Sequence, residues 1–321
     1  MYADSEQLHK AAQLIRQGRL VAFPTETVYG LGANALDANA VARIFSAKER
    51  PSFDPLIVHI AALDALETLT PMANDERVQA LARHFWPGPL TLVLPKKDIV
   101  PGIVTSGLPT VGIRMPDHPL AQALIRESGC PLAAPSANKF GRVSPTQAVH
   151  VSRHLPEVDL VLDGGPTGVG IESTIIRLAP EGFDILRPGA VTAEQLSGVL
   201  PMVASGAGND SGDPMAPGMM KSHYSPCKPL FIAGTPQALT ADRGSTALLA
   251  YQGDDTEGYH RVIHMSEGKD LNEVAVNLFA AMHDMEADPK IASIIVEPVP
   301  EEDIGIALMD RIRKAAHDHQ R

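Results

Sequence analysis

Apolar residues in LHKAAQLIRQG recur at three- and four-residue intervals, so Leu8, Ala11, Ala12, Leu14 and Ile15 share one helical face that Gly18 ends. A short apolar strand follows at 20–23, and NAVARIFSAKE then reads as a helix turning Val41, Ile44 and Phe45 inward. LIVHI (56–60) reads as a buried strand and DERVQALARHF as a helix closed by Trp86, Pro87 and Gly88. Further apolar runs predict strands at 90–95, 110–115, 131–135, 158–165, 172–179 and 184–189, with helices over about 118–128 and 145–154. Strands outnumber helices and several are adjacent in sequence, so a mixed sheet is expected rather than a purely parallel one.

The texture changes at SGAGNDSGDPMAPGMMKSH (205–223), which has no periodicity and reads as a linker or mobile loop. Beyond it KPLFIAG, STALLAYQ, RVIHM, the long helix LNEVAVNLFAAMHDMEAD, IASIIVEP and a final helix from about 301 form a second alternation of strands and helices. This predicts a small doubly wound, Rossmann-like α/β domain. The expected division is a domain over 1–200, a linker over 201–226 that doubles as a lid, and a C-terminal domain over 227–321. Neither half carries a Gly-rich dinucleotide fingerprint or a Walker-type loop.

Composition narrows the classes. With 321 residues the chain is comfortable for two cores, and 44% hydrophobic with 20% charged residues is ordinary for a soluble globular protein. Aromatics at 4% argue against a base-stacking platform for single strands. The net charge of −11 is uneven: residues 1–200 carry 17 basic against 20 acidic side chains, residues 201–321 carry 10 against 18. Such a chain is a poor nonspecific binder of nucleic acid. Cys130 and Cys227 lie far apart without metal-ligand spacing, which fits a reducing compartment and speaks against both a disulfide scaffold and a zinc site, so no metal-ligating residue is expected. No run reaches the ~18 apolar residues of a membrane span, and the start lacks a signal core, so a soluble cytoplasmic protein is expected.

FPTETVYGLG carries the first candidate chemistry. Pro24 cannot continue a central ladder, Thr25, Glu26 and Thr27 bring two hydroxyls and a carboxylate to the strand end, and Gly30 and Gly32 permit close approach. The competing account is a strand-to-helix turn with Thr25 or Thr27 as N-cap. Lys48 and Arg50 fall where Pro51 stops a helix; they either complement the helix dipole or grip phosphate ahead of His59 on its strand. Arg114 and Arg187 sit on apolar strands and need anionic partners, which a structural salt bridge or a ligand could supply. In APSANKFGRVSPT, Ser136 and Asn138 share a face, and Ser144-Pro145 opens a helix whose N–H groups could take an anion or merely be capped. Ser173 and Thr174 place hydroxyls where an apolar strand should begin. No HExxH, GxSxG or carboxylate dyad is present. Cations, hydroxyls and amides at strand ends suit a site that works by positioning and charge stabilisation on polyanions, a profile fitting nucleotidyl transfer.

FPTETVYGLG, Lys48-x-Arg50, PLIVH, GIRMPDHP, PSAN, SPT, ESTII and LRPG also stand in the order seen in the YrdC-like L-threonylcarbamoyladenylate synthases, and the tail opened by PGMMKSHYSP resembles the extra domain of the two-domain form. The resemblance implies a YrdC-like twisted mixed sheet. It also implies an enzyme that joins L-threonine, bicarbonate and ATP, with Mg²⁺ on the phosphates, for N6-threonylcarbamoyladenosine at tRNA position 37. By motif correspondence Thr27, His59, Arg114, Ser173 and the backbone of Ala134 take threonine and bicarbonate. Lys48, Arg50, Ser136 and Asn138 form the catalytic set. Arg50, Asp54, Thr110, Ser136, Ser144, Arg187 and Tyr224 contact ATP. Asp54 departs from the family, where Asn is common, and a carboxylate beside a triphosphate repels it unless Mg²⁺ or a lysine intervenes. Expected partners are downstream tRNA threonylcarbamoyl-transfer proteins and a weak tRNA contact. The reading from another class is a non-enzymatic RNA-binding module. A carbamoyl-transfer domain of the hydrogenase-maturation kind lacks its zinc-finger cysteines here.

Overall fold

The computed structural model describes residues 3–203, 216–220 and 223–319. Much of the expected linker over 201–226, including Lys221, therefore lies outside the described residues. Thirteen strands are seen among the described residues: β1 (Val21–Pro24), β2 (Tyr29–Asn34), β3 (Ile57–His59), β4 (Leu90–Pro95), β5 (Thr110–Arg114), β6 (Leu132–Ala133), β7 (Leu160–Val161), β8 (Thr174–Ala179), β9 (Gly182–Arg187), β10 (Leu230–Ile232), β11 (Thr246–Ala250), β12 (Arg261–His264) and β13 (Ser293–Val296). The helices are α1 (Ser5–Arg16), α2 (Ala38–Lys48), α3 (Ala65–Leu69), α4 (Glu76–Phe85), α5 (Pro119–Ser128), α6 (Ala148–His154), α7 (Ala193–Ser197), α8 (Pro236–Thr240), α9 (Leu271–Ala287) and α10 (Gly305–Ala316).

The first nine strands form one sheet in the order β7-β1-β2-β6-β3-β5-β4-β8-β9. Its pairings are mixed: β1 with β2, β4 with β5 and β8 with β9 run antiparallel, whereas β3 with β5 and β4 with β8 run parallel. The remaining four form a separate, wholly parallel sheet, β10-β13-β11-β12. Local chemistry sets the helix ends. Asp4 caps α1 in a capping box, and Asp37 accepts from the backbone of Asn39 and Ala40 to start α2. Glu49 ends α2 in the left-handed conformation, φ 54°.

FPTETVYGLG forms a hairpin, not a strand-to-helix turn. Pro24 closes β1 opposite Tyr29, the first residue of β2. Thr25 is neither an N-cap nor idle: its Oγ1 accepts from the N–H groups of Thr27 and Val28, both at 3.2 Å, and donates to the Val28 carbonyl at 2.7 Å. The expected strand over 158–165 shortens to Leu160–Val161. Gly164 and Gly165 leave the ladder for the Tyr29 hydroxyl, which accepts from Gly164 N–H at 3.1 Å and donates to the Gly165 carbonyl at 2.7 Å.

The core of the second sheet does not stop at its own elements. Val28, Val143 and Ile171, from loops of the first sheet, belong to the same buried cluster as Tyr224, Phe279, Leu308 and Ile312. The functional side chains gather where these two halves meet.

Candidate active site

Register places the first pair. On the parallel strands β3 and β5, His59 and Arg114 are direct lateral neighbours. Both are buried, and the His59 ring meets Phe23 edge-on at 6.3 Å. Arg114 reaches Glu26 of the hairpin turn at 2.6 Å. Its Nε and the Nδ1 of His59 have no hydrogen-bond partner, which is costly for buried polar atoms unless a ligand supplies one. Burial, with the Arg114 charge behind it, pulls His59 down to about 3, so the ring is neutral at physiological pH.

A second group of cations lies at the other end. The left-handed Glu49 turns the chain so that Lys48 and Arg50 diverge. Lys48 points under the site, where its ammonium donates to the carbonyls of Ser136 and Asn138; burial and the Arg50 charge lower its pKa. Arg50 turns toward the cavity, donating to the carbonyls of Asp54 at 3.1 Å and Pro55 at 3.0 Å and pairing with the Asp54 carboxylate at 2.8 Å. Arg187, at the end of β9, is held by carbonyls: Nη2 donates to Ser173 at 2.9 Å and Nη1 to Pro217 at 3.1 Å. Among the described residues no carboxylate pairs with Arg187 directly, so its charge is available to an anion.

The cavity between these groups is lined by Thr25, Thr27, Gly30, Arg50, His59, Arg114, Ala134, Ser136, Glu172, Ser173, Arg187, Pro217, Gly218, His223 and Tyr224. Nine of the expected site residues therefore share one enclosure: Thr27, Arg50, His59, Arg114, Ala134, Ser136, Ser173, Arg187 and Tyr224. Five do not line it. Lys48 lies beneath, as described. Asp54 is committed to Arg50. Asn138 spends its amide on the carbonyls of Lys139 and Arg142, both at 2.8 Å. Ser144 donates to Glu172 at 2.6 Å. Thr110 lines a smaller neighbouring void with Ile57, Thr91 and Pro217.

Little free space remains in the cavity. Its free volume is about 50 Å³, far below the roughly 300–1,000 Å³ of ligand sites. Pro217, Gly218, His223 and Tyr224 cover it. Gly218 adopts φ +80°, and a Cβ there would stand 2.7 Å from the Tyr224 hydroxyl and 3.2 Å from Arg187 Cδ, so the close seat of this segment requires glycine. Tyr224 is itself left-handed, φ 63°, a conformation that costs a non-glycine residue about 1–3 kcal/mol unless packing enforces it. Packing does: its ring stacks on Phe279 at 5.5 Å and lies 5.2 Å from the Arg311 guanidinium. Burial raises its hydroxyl to about 12, and the hydroxyl has no hydrogen-bond partner.

Two participants escaped the sequence reading, Glu172 and Arg311. Burial pushes the Glu172 carboxyl up, but Arg311, Arg187 and the Ser144 hydroxyl outweigh it and hold it below its ordinary value. The signal for Arg311 was present: in GIALMDRIRKAA it continues the apolar stripe of Ala307, Leu308, Ile312 and Ala315. As for Mg²⁺, each carboxylate near the cavity, Glu26, Asp54 and Glu172, is already paired with an arginine. That donor set suits an ion carried mainly by phosphate oxygens rather than a protein cage.

Comparison with known proteins identifies the family. The family model Sua5_yciO_yrdC, described as "Telomere recombination", matches residues 13–189, and the model "Threonylcarbamoyl-AMP synthase, C-terminal domain" matches 191–317. The threonylcarbamoyl-AMP synthase of Bacillus subtilis is 45% identical, over 97% of this chain and 93% of the relative. That of Pyrococcus abyssi is 41% identical, over 95% and 93%. The crystal structure of P. abyssi Sua5 complexed with L-threonine superposes with a TM-score of 0.87 at 39% identity, covering 99% of this chain and 96% of that one. The chain belongs to the Sua5/YciO/YrdC family of threonylcarbamoyl-AMP synthases, in its two-domain form.

Proposed function

We infer that this protein is an L-threonylcarbamoyladenylate synthase, joining L-threonine, bicarbonate and ATP into threonylcarbamoyl-AMP and pyrophosphate for N6-threonylcarbamoyladenosine at tRNA position 37. The carrying observation is one enclosure that joins a small-molecule end, Thr25, Thr27, His59 and Arg114, to an anion end, Arg50 and Arg187. The relative with bound L-threonine supports threonine at the first end.

In this reading Arg114 receives the threonine carboxylate through its unpartnered Nε, and Thr27 and His59 orient the amino acid. A histidine held near 3 is too weak a base to deprotonate the ammonium at neutral pH; it acts as a hydrogen-bond partner. The free amine forms an N–C bond to CO₂ derived from bicarbonate, losing a proton to solvent. A carbamate oxygen then attacks the α-phosphorus, and the bond to the bridging oxygen breaks as pyrophosphate leaves. Arg50 and Arg187 stabilise the negative charge that shifts onto the leaving phosphates. Mg²⁺ bound to the triphosphate would add charge neutralisation. Lys48 holds the Ser136–Asn138 backbone in place, and Tyr224 with Gly218 closes the site, protecting a mixed anhydride from water.

The product's lability calls for a transfer protein that accepts it for use on tRNA, in the cytoplasm. No helix among the described residues is long and apolar enough to cross a membrane. The RNA-binding alternative is disfavoured because Arg50, Arg114 and Arg187 are buried rather than displayed to a polymer. Pyrophosphate release tests the assignment: it should require ATP, threonine and bicarbonate together, and equal release with serine or with either co-substrate omitted would overturn it.

A further inference from the structure

Away from the active site, α6 of the first half packs against α9 of the second, and three metal-ligating side chains meet there. His154 Nε2 stands 3.9 Å from Glu286 Oε2, and His283 Nδ1 stands 4.0 Å from the same oxygen. All three ligand atoms lie within 4.8 Å of one another. His283 and Glu286 come from one face of α9, three residues apart; His154 ends α6. No sequence spacing announces this set, because 129 residues separate its histidines in the chain.

The surroundings orient two of the three ligands, His283 and Glu286, as a metal site needs. His283 Nε2 lies 3.1 Å from the Ser144 carbonyl. A carbonyl only accepts, so Nε2 carries the proton and Nδ1 presents a lone pair to the carboxylate. This is the arrangement of metal-bound histidines, whose other nitrogen donates to a backbone or carboxylate oxygen. His150 stacks on the His283 ring at 3.9 Å and fixes its plane. The backbone N–H of Cys227 donates to Glu286 Oε1, which leaves Oε2 facing the two imidazoles. The 4.0 Å between the bare imidazole nitrogen and the carboxylate oxygen leaves room for a cation that both would ligate.

We propose that His154, His283 and Glu286 bind one Zn²⁺ that clamps the two halves of the protein together. Two imidazoles and a carboxylate form a donor set proper to Zn²⁺. Bonds of about 2.1 Å to a tetrahedral ion bring ligands roughly 3.4 Å apart, so closing onto the metal asks for movements of well under an ångström from the two shorter separations. His154 and Glu286 retain 12% and 15% side-chain exposure, an entry path for the ion, and a water completes the coordination.

The test uses untagged full-length protein stripped with a chelator and dialysed. Titration with ZnCl₂ against a chromophoric competitor should give one equivalent bound with a dissociation constant of about 1 μM or tighter. His154→Gln and Glu286→Gln, on the accessible side, should each weaken it by at least about tenfold. Zn²⁺ should raise the melting temperature of the wild type and not of either variant. No stoichiometric binding by the wild type, wild-type affinity in both variants, or binding that leaves the melting temperature unmoved would each overturn the proposal. Pyrophosphate release by His154→Gln at 25 °C should match wild type, and its loss together with Zn²⁺ would place the ion in the reaction instead of the clamp.

Discussion

Arg311 Nε donates to Glu172 Oε2 at 2.9 Å, and neither side chain is more than 9% exposed. The carboxylate belongs to the wall of the catalytic cavity; the guanidinium belongs to the middle of the last helix. Glu172 also accepts from Ser144 at 2.6 Å, and Lys314, one turn beyond Arg311, donates to the Gly218 carbonyl at 2.7 Å. The C-terminal half thus supports both the wall and the cover of the site.

Breaking that pair alone should be expensive. Arg311→Met leaves Glu172 buried without its cation, a loss of about 3–5 kcal/mol in the usual range for buried pairs. Combining it with Glu172→Gln should restore most of that, because no uncompensated charge remains. Urea unfolding of the single and double variants measures both; equal loss in the two would show that the pair is not what the stability depends on.

Arg50 follows the same logic with a catalytic readout. As a helix-end cation its removal would cost only about 0.3–1 kcal/mol, but the structure buries it against Asp54. Arg50→Ala should therefore both destabilise the protein and lower turnover by at least about a hundredfold. Arg50→Ala with Asp54→Asn should recover stability and not turnover. Recovery of turnover in the double variant would mean that Arg50 serves only the fold.

Arg114→Lys tests the small-molecule end. Lysine keeps the charge and loses the planar fork shared between Glu26 and the ligand. The KM for threonine should rise by about tenfold or more with the ATP affinity unchanged. A change in ATP affinity alone would move Arg114 to the other end of the site.

The depressed His59 pKa has a stability signature. The folded value of about 3 lies below the ordinary 6.5, so the stabilisation is present above 6.5 and is lost as pH falls through that window toward 3. The limiting slope is about 1.4 kcal/mol per pH unit for one group. Urea midpoints of the wild type and His59→Gln between pH 7 and 4 should converge as pH falls; parallel curves would show that His59 titrates normally.

Tyr224→Ala removes the ring stacked on Phe279 and the group nearest Gly218. ATP binding should weaken and product hydrolysis should rise relative to pyrophosphate formed, both measurable in one time course. Wild-type behaviour in both would make the segment a tether and nothing more.

The elements were legible where apolar periodicity was long. β4 falls on 90–95 as read, and α9 on nearly its whole expected length, because each buries a regular face. β2 was missed because YGLGAN carries two glycines and no β-branched residue, and only pairing with β1 makes it a strand. In the site, residues read as polar interruptions of apolar strands, such as His59, Arg114 and Arg187, do reach the cavity. Lys48, Asn138 and Ser144 carry the same motif signal but spend their polar groups on other protein atoms. Motif order reports neighbourhood; the direction of each side chain depends on backbone turns such as Glu49.

The shared buried cluster has a further implication for inheritance. Val28, Val143 and Ile171 share one buried cluster with side chains of α9 and α10 in the other half. A gene encoding only the first half of this chain would bequeath a protein with an uncovered apolar seam and a carboxylate stripped of its guanidinium. The two halves are matched by separate family models, yet in this chain each buries side chains of the other. Substituting one means re-tailoring the seam on the other, so transplanted tails should fail unless the residues at 28, 143, 171 and 172 travel with them.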